Sequence, residues 1–183
     1  ASSSEIYGSS KKKINETSAY SPRNPYGCFK LSAHLTLKVY RDKYNLFLVN
    51  GILFNHESSR RKKKFLTSTI INGARNIKKG IKKKLILDTP HPVRDFAHAE
   101  DAVDVIELIM RLRKPKDFII SGGNIYSVKK LAETIFLKLG VNKNKIYFRG
   151  FSGKDDIKIG DTSKLRKLTK WKPKYSNQNF IEK

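Results

Sequence analysis

The sequence predicts an α/β fold, and three observations carry that expectation. Short apolar runs alternate with segments of helical spacing along the chain, which is the pattern of helices layered on a sheet. The apolar runs, 46–54 and 118–120 among them, are nearly continuous, as buried parallel strands are. The helical segments carry start and stop residues of their own, such as Asn24-Pro25, Gly80 and Gly140. At 183 residues the chain can hold one good-sized domain or two unequal lobes.

In order along the chain, Asn24 and Pro25 open the first helix, Asn as N-cap and Pro at the first helical position. That helix should run over 26–44. The run 46–54 reads as a buried strand, but its internal Asn50-Gly51 also fits a two-residue hairpin turn, and local rules leave both open. Residues 65–78 have helical spacing with Gly80 as the stop, and 85–87 form a strand before a loop holding Pro90 and Pro92. Residues 101–113 make an amphipathic helix, with Ala102, Val105, Ile106, Ile109 and Met110 on one face and Pro115 beyond its end. A strand over 118–120 ends in Ser121-Gly122-Gly123, and Ser127 caps a helix that reaches Leu139 and closes on Gly140. A strand over 146–148 and a short helix over 161–168 precede Trp171-Lys172-Pro173. No internal repeat is visible, and the glycines offer no dinucleotide fingerprint turn.

Composition narrows the partners. The formal net charge is +23, which on its face suggests a polyanion. The excess is mostly lysine, however, and it is spread over the chain with many Ile and Asn residues, so solvated faces are expected and no nucleic-acid partner. Charge of this kind speaks to solubility and association rather than to fold. The single cysteine, Cys28, provides no disulfide framework and no thiol-ligated metal site; no metal is expected. No run of apolar residues is long enough to span a membrane, and a cytoplasmic, reducing setting is expected. The opening Ala1-Ser2-Ser3-Ser4-Glu5 reads as a chain entered in mid-domain.

Tyr26 and Lys30 stand four apart on the first helix, so both side chains leave one face, as a tyrosine base with a neighbouring ammonium would require. Tyr7 with Lys11 and Tyr126 with Lys130 have the same spacing, so spacing alone selects none of them. Context does: Tyr26 follows Pro25 at a helix start and lies about twenty residues after Ser3 and Glu5, and a hydroxyl and a carboxylate at a strand end near such a pair form a set for moving protons and hydride. The segments 1–8 and 21–27 with Lys30 resemble the extended short-chain dehydrogenases. Asn50-Gly51-Ile52-Leu53-Phe54-Asn55-His56-Glu57-Ser58 with Arg60-Arg61 narrows the resemblance to the GDP-mannose 4,6-dehydratase family. Arg94-Asp95-Phe96-Ala97-His98-Ala99-Glu100-Asp101, Tyr126-Ser127-Val128 and Trp171-Lys172-Pro173 agree with it.

The resemblance implies a fold made of the C-terminal part of a Rossmann-type doubly wound parallel sheet plus a smaller mixed substrate-binding lobe. Residues 1–58 would belong to the NADP-binding domain and 59–183 to the lobe, with about 93–114 returning to the first. It implies that 46–55 is one strand. It implies conversion of GDP-mannose to its 4-keto-6-deoxy product with NADP as cofactor, in a homo-oligomer. Tyr26 matches the residue that takes the C4 hydroxyl proton, and Lys30 the one that binds the nicotinamide ribose and assists the tyrosine. Glu5 matches the base that removes the C5 proton, and Ser3 stands where a threonine is usual. His56 and Arg61 match cofactor contacts, the Arg on a loop that also meets a neighbouring subunit; Asn55 and Arg94 are the substrate-binding candidates. Taken singly, Glu5, His56 and Arg60-Arg61 read as solvated groups. A related epimerase or reductase would keep Tyr26 and Lys30 without needing Glu5, and a basic nucleic-acid-binding module is the alternative of another class. The pattern departs from the family at Ser68-Thr69, at Asp88-Thr89-Pro90-His91-Pro92 and at Ser152-Gly153-Lys154-Asp155-Asp156. With the Gly-rich start of the cofactor domain absent from these 183 residues, the chain alone is expected to be inactive.

Overall fold

The computed structural model describes residues 1–150 and 156–175; all of the departure at 152–156 except Asp156 lies outside the described residues. The first sheet is parallel. Strand β1 (Ser2–Ser3) pairs with β2 (Gly51–Leu53), and β2 pairs with β6 (Phe118–Ile120). Side chains alternate across it, so each strand feeds two cores. Ile52 and Ile119 pack with Ile6, Tyr7, Ile14 and Phe54 on one face, toward helix α1 (Pro25–Tyr44). Phe118 and Ile120 pack on the other face with Val105 and Ile109 of α3 (Ala99–Met110) and with Leu165 of α5 (Ser163–Thr169) and Trp171. Helices on both faces of a parallel sheet confirm the α/β class.

The second sheet continues from the first. Phe54 donates its N–H to the Ile120 carbonyl, still on the first sheet. One residue on, β3 (Asn55–Glu57) pairs instead with β5 (Val93–His98). Strand β7 (Asn124–Ser127) runs antiparallel to β5, and β9 (Ile157–Lys158) runs parallel to it. The expected single strand over 46–55 therefore starts later and reaches further, divided between two sheets. Its first residues are not strand because no strand among the described residues pairs with them: Leu46 and Phe47 are exposed and the Leu48 N–H turns back to the Leu46 carbonyl. The Asn50-Gly51 hairpin does not form. Gly51 instead lets Ile120 pack close, with the Ile120 Cδ1 only 3.0 Å from where a Cβ would stand.

A third pair, β4 (Leu85–Leu87) with β8 (Ile146–Phe148), is parallel. It shares a core with α2 (Leu66–Lys78) and α4 (Val128–Lys138), built from Ile70, Ala74, Leu131, Ile135 and Phe136 among others. The other helices match their sequence signals within a few residues; α3 begins at Ala99 and ends at Met110 rather than spanning 101–113. Its N-cap is His98, whose side chain accepts from the Glu100 N–H. Strand β6 hydrogen-bonds to β2 although it lies beyond the 93–114 segment expected to return to the first domain. Among the described residues no helix is long and apolar enough to cross a membrane.

Candidate functional site

The site forms where β1, the start of α1 and the β2–β3 crossing meet. Ser3 ends β1, and its Oγ accepts the Glu5 N–H at 3.2 Å, capping the single 3-10 turn Ser4–Ile6 that presents Glu5. Asn24 caps α1 by accepting from the Gly27 N–H at 2.8 Å. With its amide nitrogen it also donates to Glu5 Oε2, at 2.8 Å. Helix α1 comes this close because position 27 is glycine: a Cβ there would stand 2.4 Å from the Glu5 carbonyl oxygen. Tyr26 and Lys30 leave the same face of α1, with Nζ 5.9 Å from the ring centroid. Lys30 is tied to β1 by donating to the Ala1 carbonyl at 2.8 Å.

These groups open into one cavity of about 620 Å³. Its walls include Ser3, Glu5, Tyr26, Lys30, Asn55, His56 and Arg61, so residues as distant in sequence as Ser3 and Arg61 converge. His56 lies at the crossing, with its Nδ1 3.0 Å from the Phe54 carbonyl. Arg61 stacks its guanidinium 3.9 Å from the Phe65 ring centroid and stands 3.4 Å from Glu57 Oε2, an ion-pair separation without hydrogen-bond alignment. Glu57 is buried, and burial raises its pKa against the pull of Arg61. Arg94 is not brought to the cavity. Its guanidinium is taken up by Asp156, through both the carboxylate and the backbone carbonyl.

Two contacts escaped the sequence reading. Asn24 was legible only as a cap, and its second bond, to Glu5, has no local signal. Lys158, buried on strand β9, donates to Glu5 Oε1 at 2.7 Å; in a chain with 39 Lys and Arg residues nothing local separates it from solvated lysines. A hydroxyl, an ammonium and a phenol around an open cavity suit a sugar or ribose, whose hydroxyls need donors and acceptors at fixed positions. The residues present fit the nicotinamide-ribose end of a dinucleotide. No glycine-rich strand-to-helix turn stands among the described residues to meet its pyrophosphate. No group of three or more His, Cys, Asp or Glu among the described residues is placed to hold a metal ion.

Comparison with known proteins bears on the family and the fold. The sequence model of the family described as GDP-mannose 4,6 dehydratase matches residues 1–183. GDP-mannose 4,6 dehydratase 1 of Arabidopsis thaliana is 36% identical over 188 residues, covering 100% of this chain and 52% of its own length. GDP-mannose 4,6-dehydratase of Vibrio cholerae is 39% identical over 142 residues, 77% of this chain and 38% of that protein. The chain spans about half the length of the curated relatives it matches. Among solved structures, the dTDP-glucose 4,6-dehydratase of Bacillus anthracis in complex with NAD superposes with a TM-score of 0.89 at 25% identity, over 99% of this chain and 58% of that one. RMD from Pseudomonas aeruginosa complexed with NADPH shares the fold, with a TM-score of 0.90 at 20% identity over 98% of this chain and 62% of that one.

Proposed function

The chain belongs to the GDP-mannose 4,6-dehydratase family, and from that premise we propose that it supplies the acid–base and sugar-binding part of an NADP-dependent dehydratase acting on GDP-mannose. The observation that carries this reading is Glu5 in the same cavity as Tyr26 and Lys30. Oxidation at C4 needs only a tyrosine–lysine pair; elimination across C5 and C6 needs a second base. In this reading Tyr26 takes the C4 hydroxyl proton while the Ser3 hydroxyl binds the same oxygen, and Lys30 holds the ribose. Glu5 then removes the C5 proton, acidic once C4 is a ketone, and water leaves from C6. A nicotinamide dinucleotide bound at the cavity supplies the acceptor for the C4 hydride and its source for C6. Asn55 faces the sugar, and His56 and Arg61 hold the cofactor. The preference for NADP rests on the matches at those two positions.

The surrounding assignments go with it. Residues 1–58 form part of the cofactor domain and 59–183 the substrate lobe. The shared core of α2, α4, β4 and β8 supports this; the bonds of β6 to β2 extend the returning segment from 93–114 to 120, and the packing of Leu165 and Trp171 against the first sheet returns α5 to it as well. A homo-oligomer is supported by apolar residues exposed along α1, among them Phe29, Val39, Tyr40 and Tyr44. A reducing, cytoplasmic setting is supported by the free Cys28. Arg94, held by Asp156, would have to exchange that partner to reach a nucleotide diphosphate.

The test is Glu5→Gln in the full-length protein encoded by the gene. The variant should still oxidise C4, read as transient NADPH absorbance, and should form no 4-keto-6-deoxy product. Normal product formation by the variant, or a C4 epimer as the wild-type product, overturns the reading.

A further inference from the structure

We infer that Lys158 is a positioning residue for the elimination step, holding the Glu5 carboxylate in register with the cavity; the inference rests on the dehydratase reading of Glu5. Lys158 is 4% exposed, the one lysine among the described residues that is buried. Lysine side chains ordinarily carry their ammonium to water, and burying one is costly unless it is paired. Here the pairing reaches across 153 positions of sequence to Glu5 Oε1, at 2.7 Å.

The strand that carries Lys158 is held from both flanks. On one side β9 pairs with β5, setting Lys158 opposite Arg94. On the other side Ser10 donates to the Ile157 carbonyl and Ile14 to the Ile159 carbonyl, while Ser9 Oγ accepts the Ile157 N–H. The second carboxylate oxygen is held by Asn24, itself fixed as the α1 cap. With one donor on each oxygen, the carboxylate plane is set before substrate arrives, which is where a correctly aimed base gains most. Lys158 does not line the cavity, whereas Lys30 and Arg61 do. It therefore acts through Glu5 and not on the sugar. In the step itself Glu5 takes the C5 proton, the C–H pair becomes the new double bond to C6, and the C6 hydroxyl leaves with the C–O pair as water, receiving the proton that Glu5 has taken.

The experiment uses the full-length protein with Lys158→Met and Lys158→Arg. Lys158→Met should lower kcat for product formation about 10²-fold with KM for the sugar nucleotide little changed, while C4 oxidation persists as transient NADPH absorbance. Lys158→Arg should restore much of the loss, since a guanidinium can donate to the same oxygen. Nitrogen-15 NMR of lysine ammonium groups reads the pair without turnover and with Lys158 in place: its slowly exchanging signal should move in Glu5→Gln. Wild-type turnover in Lys158→Met, equal loss of both half-reactions, or an ammonium signal indifferent to Glu5→Gln overturns the inference. A wild-type protein that oxidises C4 yet yields an epimer overturns the dehydratase reading and the elimination role together, and the ammonium signal still decides whether the pair exists.

Discussion

His34 is the buried hinge of a polar network beneath the cavity, and it gives the fold a pH dependence of its own. Its Nδ1 lies 3.0 Å from Ser2 Oγ, and its Nε2 lies 3.1 Å from the Tyr20 hydroxyl and 3.7 Å from Asp117 Oδ2. Burial lowers the His34 pKa; Asp117 opposes the shift, and Lys38 and Arg41 add to it. Burial would raise Asp117, but the hydrogen bonds and charge of Arg41 outweigh it and hold that carboxyl low. A histidine depressed in the fold contributes stability above its unfolded pKa of about 6.5, and that stability is lost as pH falls through the folded value. Asp117 loses its contribution only at lower pH, below the ordinary carboxylate range. Glu57 and Asp95, raised by burial, act in the opposite sense: their contribution is present at low pH and lost as pH rises. The comparison must therefore be with His34→Gln, which keeps those groups. Urea melts should show the wild type losing more stability than His34→Gln between about pH 7 and about pH 5; equal losses would show that His34 is not the titrating group. His34 could not be read from sequence, because one histidine on a helix carries no sign of burial. Ser3, Glu5, Tyr26 and Lys30 were legible because short segments carried them together.

At the scale of elements, α1 shows how a helix start and the Glu5 turn are built as one unit. Ordinarily Gly→Ala inside a helix gains about 1 kcal/mol. At Gly27 the added Cβ would meet the Glu5 carbonyl oxygen at 2.4 Å, so either the helix or the Glu5 turn must move. Gly27→Ala should therefore destabilise the protein by about 1–3 kcal/mol, read by chemical denaturation, and should slow product formation, since Asn24 and Glu5 lose their register. An unchanged or raised stability would mean that the close approach does not exist in solution. Elements were legible where periodicity or caps are local: α1, α2 and α4 each follow from a dozen or so neighbouring residues. Strands β7 and β9 were not. Ser127 reads as a helix cap, which it is, but Asn124–Ser127 also pairs antiparallel with β5. Strand β9 is two residues long and exists only through its partners β5 and the Ser9–Ile14 loop. The cut between 46 and 57 was invisible for the same reason: which sheet a residue joins is decided by distant partners.

At the scale of the whole molecule, charge and the pyrophosphate cradle lead to one experiment. The lysine runs at 11–13, 62–64 and 82–84 are exposed, as solvated faces are, so nonspecific attraction for any polyanion, NADP included, is expected at low salt and should fade as salt rises. Specific dinucleotide binding has another source: backbone N–H groups at a helix N-terminus after a glycine-rich turn, where the helix dipole meets the pyrophosphate. The described residues place Tyr26, Lys30, His56 and Arg61 at one cavity but hold no such turn, and the chain matches about half of its relatives' length. On the proposed function, the isolated 183 residues are expected to bind NADP⁺ only weakly and to turn over nothing, and the full-length protein of the gene is expected to bind it more tightly. Among the described residues strand β1 is an edge of its sheet, paired with β2 alone, and an unpaired edge invites association, so the isolated chain should also self-associate. Calorimetry of both proteins at about 150 mM salt, where weak phosphate attraction is largely suppressed, separates the two contributions. Micromolar binding by the isolated chain at that salt would show that these residues contain a complete cofactor site, and the division of labour proposed for the two halves would be wrong.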